Sequence, residues 1–221
     1  MNLKNDIVGR AFIFENVLDQ PDVALNDVIR QCNEQEDSQH FLARMTVRTK
    51  DFNFSFELNK EFIECTNVEK FIFSHNDVLD YDKVELLRKD SDFSIDSNLK
   101  HKLEEVILSK VKEIYSDIKD EIKVEHSSVI KYGIGYKMDK HRDLGNNRIC
   151  TAVLYLNSKE NNNGGDLIFY EEDEVTELCK YSPIKNELVI FDSHFYEDTL
   201  AHSVDATVDW ERYVFRVYFK K

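Results

Sequence analysis

Proline and glycine are scarce in this chain of 221 residues, with two prolines and six glycines. All but one of the glycines fall between Gly133 and Gly165, so tight backbone features concentrate there. The four cysteines, Cys32, Cys65, Cys150 and Cys179, lie far apart with no C-x-x-C pair. That spacing excludes a zinc knuckle and a thioredoxin-type motif, and it fits a reduced, cytoplasmic setting with Cys150 and Cys179 as inert packing residues. Positive charge is also short: 29 Lys and Arg stand against 43 Asp and Glu, a formal net charge of −14. Such a surface repels a phosphate backbone, so nucleic acid is not expected as a partner. No apolar run approaches eighteen residues and the start has no apolar signal core, so neither a membrane span nor export is expected.

What is present is enough to fold. Hydrophobic residues make up 42% and aromatics 12%, sufficient for the apolar core of a single domain over 1–221. The period of the apolar residues divides the chain. Residues 1–123 read as a helix-rich extension carrying substrate-side elements: Asp22 to Gln35 looks helical, and Thr46 to Leu58 alternates like a strand. Asn98 to Ile122 places Leu103, Val106, Ile107, Val111, Ile114 and Ile118 on one helical face. From 124 onward the period shortens to two. Ser127 to Tyr136, Arg148 to Asn157, Asp166 to Tyr170, Glu187 to Phe191 and Arg212 to Phe219 read as strands of an antiparallel sandwich or barrel, with Asn161 to Asn163 as a hairpin loop. Helices before strands, without βαβ alternation, exclude a parallel Rossmann-type sheet.

His141 and Asp143 stand two residues apart in KHRD. In an extended backbone, positions i and i+2 share a face, so an imidazole and a carboxylate converge on one point while Arg142 turns away. A third ligand has to come from elsewhere. His202 lies just before the last strand, and His194, in FDSHFYED, is its rival. Two histidines and one carboxylate occupy one face of an octahedral ion and leave three positions open, the arrangement suited to non-haem Fe(II) and O2 chemistry. An isolated H-x-D pair arises easily in a chain with seven histidines; the order of the later features gives it weight. In the last strand Tyr213, Phe215, Val217 and Phe219 form an apolar face, while Arg212 and Arg216 place two cations on the other. Burying them is costly unless an anion joins them.

The run Y-x-x-G, H-x-D, TAVLYLN, GGDLIFY, P-x-K, LVIFDS, H-x-V and ERYVFRVYF, spanning Val124 to Lys221, resembles the 2-oxoglutarate/Fe(II) dioxygenases of the prolyl 4-hydroxylase type. The resemblance implies an α+β, mainly β fold: a double-stranded β-helix, cupin-like jelly roll over 124–221 with helices packed on one sheet. It implies His141, Asp143 and His202 as the iron ligands, with Arg212 holding the distal carboxylate of 2-oxoglutarate. Tyr155 would add a hydroxyl to that carboxylate, Tyr132, Leu167 and Val204 would line the pocket, and Arg216 would be an auxiliary or rival anchor. Tyr155 and Tyr132 also read as core aromatics, and Gly164 and Gly165 as turn residues. Two positions depart from the family pattern: Trp210 stands where a glycine is common, and Ala206-Thr207-Val208 replaces a Pro-Val turn.

The implied reaction couples decarboxylation of 2-oxoglutarate to succinate and CO2 with hydroxylation by O2, with ascorbate helpful in vitro. Asp143, where a halogenase has a small residue, points to hydroxylation. The substrate reads as a peptidyl proline or other protein side chain, or a free amino acid or small metabolite; the acidic surface favours a neutral or basic one. Two other readings compete: a non-catalytic jelly-roll binding module with a vestigial site, and a zinc hydrolase using the same ligands.

Overall fold

The computed structural model describes residues 2–7, 9–36, 42–48, 53–59, 85–93, 95–143, 145, 147–159, 164–193 and 199–221. In chain order the elements begin with β1 (Asn2–Ile7), β2 (Ala11–Glu15), α1 (Pro21–Glu36), β3 (Leu42–Arg48), β4 (Asn53–Asn59), β5 (Glu85–Phe93) and α2 (Ser97–Ile114). There follow β6 (Lys123–Tyr132), β7 (Met138–His141), β8 (Arg148–Tyr155), β9 (Leu167–Tyr170), β10 (Glu177–Tyr181), β11 (Leu188–Asp192), β12 (His202–Val204) and β13 (Arg212–Lys220). They build a nine-stranded sheet, ordered β1-β2-β11-β8-β13-β6-β5-β3-β4, and a four-stranded sheet, ordered β10-β9-β12-β7. From β6 onward the chain passes back and forth between the two sheets. This is the double-stranded β-helix expected, with mainly β content.

Alternation along β13 sorts its side chains between two cores. Tyr213, Phe215, Val217 and Phe219 face outward and join a cluster with Leu25 and Val28 of α1 and Leu103, Ile107 and Val111 of α2. The helices thus cover the outer face of the large sheet, each fully buried Leu or Ile contributing about 1.5–3 kcal/mol. Asp96 caps α2, accepting from the Asn98 and Leu99 amides at 3.0 Å each, a contact worth about 1 kcal/mol. The other face of β13 looks into the space between the sheets, where Val214 joins Ile130, Tyr155, Phe169, Val189 and Phe191.

The structure corrects several expectations. The helix expected to run from Asn98 to Ile122 ends at Ile114: Tyr115 leaves helical geometry at φ −99°, ψ 52°, and a single 3-10 turn, Ser116–Ile118, follows. Ile118 stays packed on the core through that turn, so the apolar pattern continues although the helix does not. Among its described residues the stretch 1–123 is not helical alone. Besides two helices it supplies five strands, which extend the large sheet at both edges through β2 on β11 and β5 on β6. Within Thr46 to Leu58, read as one strand, Thr46 to Arg48 belong to β3 and Asn53 to Leu58 to its antiparallel partner β4. The first core strand starts and ends earlier than expected, and Gly133 to Tyr136 form a turn closed by the Tyr136 amide on the Gly133 carbonyl at 3.1 Å. Asn161 to Asn163 lie outside the described residues.

Candidate metal and cosubstrate site

His141 closes β7 and His202 opens β12, and the two pair directly across the small sheet. That register accounts for a 61-residue separation collapsing to rings 4.3 Å apart between centroids. Asp143 follows two residues after His141, beyond the strand end. The three side chains offer ligand atoms that all lie within 4.8 Å of one another. His141 Nε2 stands 3.4 Å from Asp143 Oδ1, and His202 Nε2 3.9 Å from Oδ2.

The tautomers follow from the backbone. His141 Nδ1 faces the Asp139 carbonyl at 2.8 Å and His202 Nδ1 the Leu200 carbonyl at 3.2 Å. A carbonyl accepts only, so each Nδ1 carries a hydrogen and each ring turns its Nε2 toward Asp143. Burial pushes His202 down to about 4, against the opposing pull of Asp143, so near neutral pH no proton sits on its Nε2. Burial also pushes the Asp143 carboxyl up, but the hydrogen bond with His141, the charge interactions with both histidines and the Thr151 hydroxyl outweigh it and hold the group well below the usual carboxylate range. The His202 lone pair, the His141 Nε2 and the Asp143 carboxylate therefore converge on one point. A divalent cation fits that donor set, and two imidazoles with one carboxylate leave half of an octahedral shell open.

Partners behind these groups fix them in place. Thr151 Oγ1 donates to Asp143 Oδ2 at 2.8 Å, and its other neighbour, Ser193 Oγ at 2.5 Å, must then donate to Thr151. Sequence reading missed both, although Thr151 shares the inward parity of Tyr155 on β8. His194 lies outside the described residues.

The same cavity extends away from the three groups along β8 and β13. It holds about 480 Å³ of space counting its open mouth. Tyr132, Tyr155, Leu167, Val204, Arg212 and Arg216, all expected around the pocket, line it together with His141, Asp143 and His202. Register orders them: on β13, Tyr218 lies opposite Thr151, Arg216 opposite Val153 and Val214 opposite Tyr155, with Arg212 deepest and opposite Tyr132 of β6. Asp143 thus sits at one end of the cavity and Arg212 at the other.

Arg212 is 3% exposed. Its guanidinium stacks on the Tyr132 ring at 4.3 Å and lies 5.7 Å from that of Tyr136, and Nη1 reaches the Gly165 carbonyl at 3.4 Å. Nε makes no hydrogen bond, and no carboxylate pairs with the group among the described residues. Asp166, next to Gly165, is taken by Lys159 Nζ at 2.8 and 2.9 Å and by Ser182 Oγ. A buried guanidinium in that condition suits an incoming carboxylate. Asn157 of the YLN element holds its backbone: the amide nitrogen donates to the Glu211 carbonyl at 2.7 Å and the amide oxygen accepts from the Tyr213 amide at 2.9 Å. Burial pushes the Tyr155 hydroxyl up, so it remains a donor.

The two departures in the loop before β13 meet the glycine pair. A Cβ at Gly165 would stand 2.7 Å from Trp210 Cζ2, and one at Gly164 only 1.7 Å from the Ala206 carbonyl oxygen. Both glycines also hold positive φ, +70° and +78°, so they serve the turn and the close approach of Trp210 together.

Residues 127–220 match the family model described as the 2OG-Fe(II) oxygenase superfamily. Iron and 2-oxoglutarate are the cofactor and cosubstrate that the name of the matched family carries, and the donor set and buried guanidinium of this cavity fit both. Among solved structures, the chain is similar to a prolyl-4-hydroxylase from Pseudomonas putida, at 17% identity, 98% of this chain, 96% of that one and a TM-score of 0.59. It is also similar to the viral collagen prolyl hydroxylase of Paramecium Bursaria Chlorella virus-1, at 15% identity, 96% and 89% coverage and a TM-score of 0.51. These likenesses carry the fold, N-terminal elements included. No curated protein matches the chain. No helix among the described residues is long and apolar enough to cross a membrane.

Proposed function

We propose that the protein is an Fe(II)- and 2-oxoglutarate-dependent dioxygenase that hydroxylates an unactivated C–H bond, on a protein side chain or on a free amino acid or small metabolite. Succinate and CO2 leave as co-products. His141, Asp143 and His202 hold the iron, which supplies when bound the site where cosubstrate and O2 meet. Arg212 pairs with the distal carboxylate of 2-oxoglutarate, and Tyr155 donates to the same group. Tyr132 stacks on the guanidinium and fixes its plane. Leu167 and Val204 supply apolar wall that keeps water from the cosubstrate chain. Thr151 holds Asp143 ionised and oriented.

The juxtaposition that carries this reading is a cluster of three metal donors at one end of a cavity whose other end is a buried guanidinium with no carboxylate partner among the described residues. A vestigial module would have no reason to keep both, and a zinc hydrolase would have no use for the second. Succinate formed from 2-oxoglutarate with Fe(II), ascorbate and no added substrate tests it. Turnover is expected in the wild type, absent in His141→Ala, Asp143→Ala and His202→Ala, and retained in His194→Ala. The opposite pattern at positions 194 and 202 contradicts the assignment.

A further inference from the structure

The sheet that carries both histidines is ordered β10-β9-β12-β7, so β12 lies between the β9–β10 hairpin and the strand that ends in His141. The hairpin turn nevertheless reaches β7. Arg142 Nε donates to Glu174 Oε1 at 2.8 Å, Lys140 Nζ donates to the Glu174 carbonyl, and the same ammonium lies 4.6 Å from the Tyr170 ring centroid. To make these contacts the turn crosses the end of β12. The two residues that flank His141 therefore both hold Glu174 across the strand of His202.

Arg142 has a second arm. Its Nη1 donates to the carbonyl of Thr199, three residues before His202. β7 and β12 run antiparallel and pair at His202 with His141 and at Val204 with Met138, with an irregularity between the two pairs. Residues after His141 thus lie across from residues before His202, where the backbone pairing has ended. The guanidinium continues the ladder there, from the position between His141 and Asp143. One side chain therefore joins the segment bearing two of the metal donors to the approach to the third.

The turn is built to present Glu174. Asp173 accepts from the Val175 and Thr176 amides at 2.8 Å each and from the Thr176 hydroxyl at 2.7 Å, and the Glu174 amide donates to the Glu171 carbonyl at 2.9 Å. Glu174 itself holds φ 53°, a left-handed conformation that glycine adopts more readily. A residue kept there against its backbone preference is fixed by the contacts around it. With side-chain exposures of 22% for Arg142 and 46% for Glu174, the pair is partly solvated and contributes little to stability by charge alone. Its consequence is geometric.

We propose that Arg142 is a positioning residue for the metal site, held in place by Glu174, and that this clamp fixes the spacing between the His141–Asp143 segment and His202. This rests on the function proposed above. The clamp and a bystander charge differ in sign. A cation beside a divalent ion repels it, so removing a bystander arginine tightens metal binding. Removing an arginine that sets the donors' spacing loosens it.

The test uses the full chain and Mn(II) alone, with binding to the metal-free protein followed by calorimetry. If the wild type binds no Mn(II), the proposed function fails and not this inference alone. Arg142→Gln is expected to weaken Mn(II) binding about tenfold, and Arg142→Lys, which keeps the charge and loses the fork, to fall between it and the wild type. Loaded with Co(II), Arg142→Gln should also show a visible absorption spectrum altered from that of the wild type, because the donors around the ion have shifted. Glu174→Gln should weaken Mn(II) binding severalfold in low salt and equally in about 0.5 M salt, since a distant charge effect is screened and a positioning effect is not. In the Arg142→Gln background it should add nothing. Glu174 stands among exposed turn residues, so Glu174→Gln carries the test by itself where Arg142→Gln does not fold. Mn(II) binding in Arg142→Gln as tight as in the wild type or tighter, an unchanged Co(II) spectrum, a Glu174→Gln effect that disappears in salt, or losses that multiply in the double variant would each overturn the clamp.

Discussion

Thr151 Oγ1 and Asp143 Oδ2 are joined by a 2.8 Å hydrogen bond, with Ser193 Oγ feeding Thr151 from behind at 2.5 Å. The one carboxylate of the donor set thereby has its free rotation removed and its charge stabilised before any ion arrives. Partners of this kind behind a ligand typically control metal affinity by about 10- to 100-fold. Thr151→Val keeps the shape and removes the donor, so Mn(II) affinity measured by calorimetry should fall by about that factor, with Thr151→Ser restoring most of it. An unchanged affinity in Thr151→Val would mean that Asp143 is oriented by something else.

Arg212 gives a second expectation. Losing one charged hydrogen-bond partner of a carboxylate costs about 1.5–3 kcal/mol, or roughly 10- to 150-fold in affinity. Arg212→Gln should raise the 2-oxoglutarate concentration needed for half-maximal uncoupled turnover by that range. Arg212→Lys should fall between, because an ammonium keeps the charge and loses the two-pronged geometry. A normal 2-oxoglutarate dependence in Arg212→Gln would remove the anchor from this position.

Gly165 and Gly9 separate two reasons for a glycine. Both have positive φ, but a Cβ at Gly9 meets nothing within 4 Å while one at Gly165 runs into Trp210. Gly9→Ala should cost about 1 kcal/mol of stability, from backbone conformation alone. Gly165→Ala adds overpacking and should cost about 2–4 kcal/mol, with a weaker hold on 2-oxoglutarate because the Gly165 carbonyl accepts from Arg212. Urea unfolding of the two variants beside the wild type checks the difference.

His202 links the site to pH. Its folded pKa of about 4 lies below the ordinary 6.5. As pH falls below 6.5 the unfolded chain takes up a proton that the folded, metal-free protein refuses until about 4, so stability is lost across that window. The loss between pH 7 and pH 5 is about 2 kcal/mol. Asp143 acts in the same sense at lower pH, its contribution starting to fall as pH drops below its unfolded value of 3.8 and gone once its lowered folded value is passed. His202→Leu should remove the pH 7 to pH 5 part in urea unfolding of the metal-free protein, whereas an identical pH slope in wild type and variant would contradict the burial argument.

The parts legible in the sequence are those written into one strand's period. The two faces of β13 were readable because four aromatic or aliphatic residues alternate with two arginines and because both faces are buried. His141 and Asp143 were readable as a pair, and His202 only through the order of features around it: β12 is three residues long and has no period of its own. β1 was invisible because five of its six residues are exposed and carry no apolar alternation. The end of α2 was misread because Ile118 keeps the helical apolar spacing through a 3-10 turn. Thr151 and Ser193 escaped because hydroxyls on a strand look alike until the fold sets one beside a carboxylate. Asn157 was quoted within a motif, yet its grip on both neighbours of Arg212 is set by a loop meeting a strand 54 residues later.

The account depends most on a single ion being held jointly by His141, Asp143 and His202, and anaerobic calorimetric titration of the metal-free protein with Fe(II) measures that directly. One ion per chain is expected, with binding lost in His141→Ala, Asp143→Ala and His202→Ala while each variant keeps the wild-type circular dichroism spectrum. Stoichiometric binding of undiminished affinity in folded His202→Ala would contradict it.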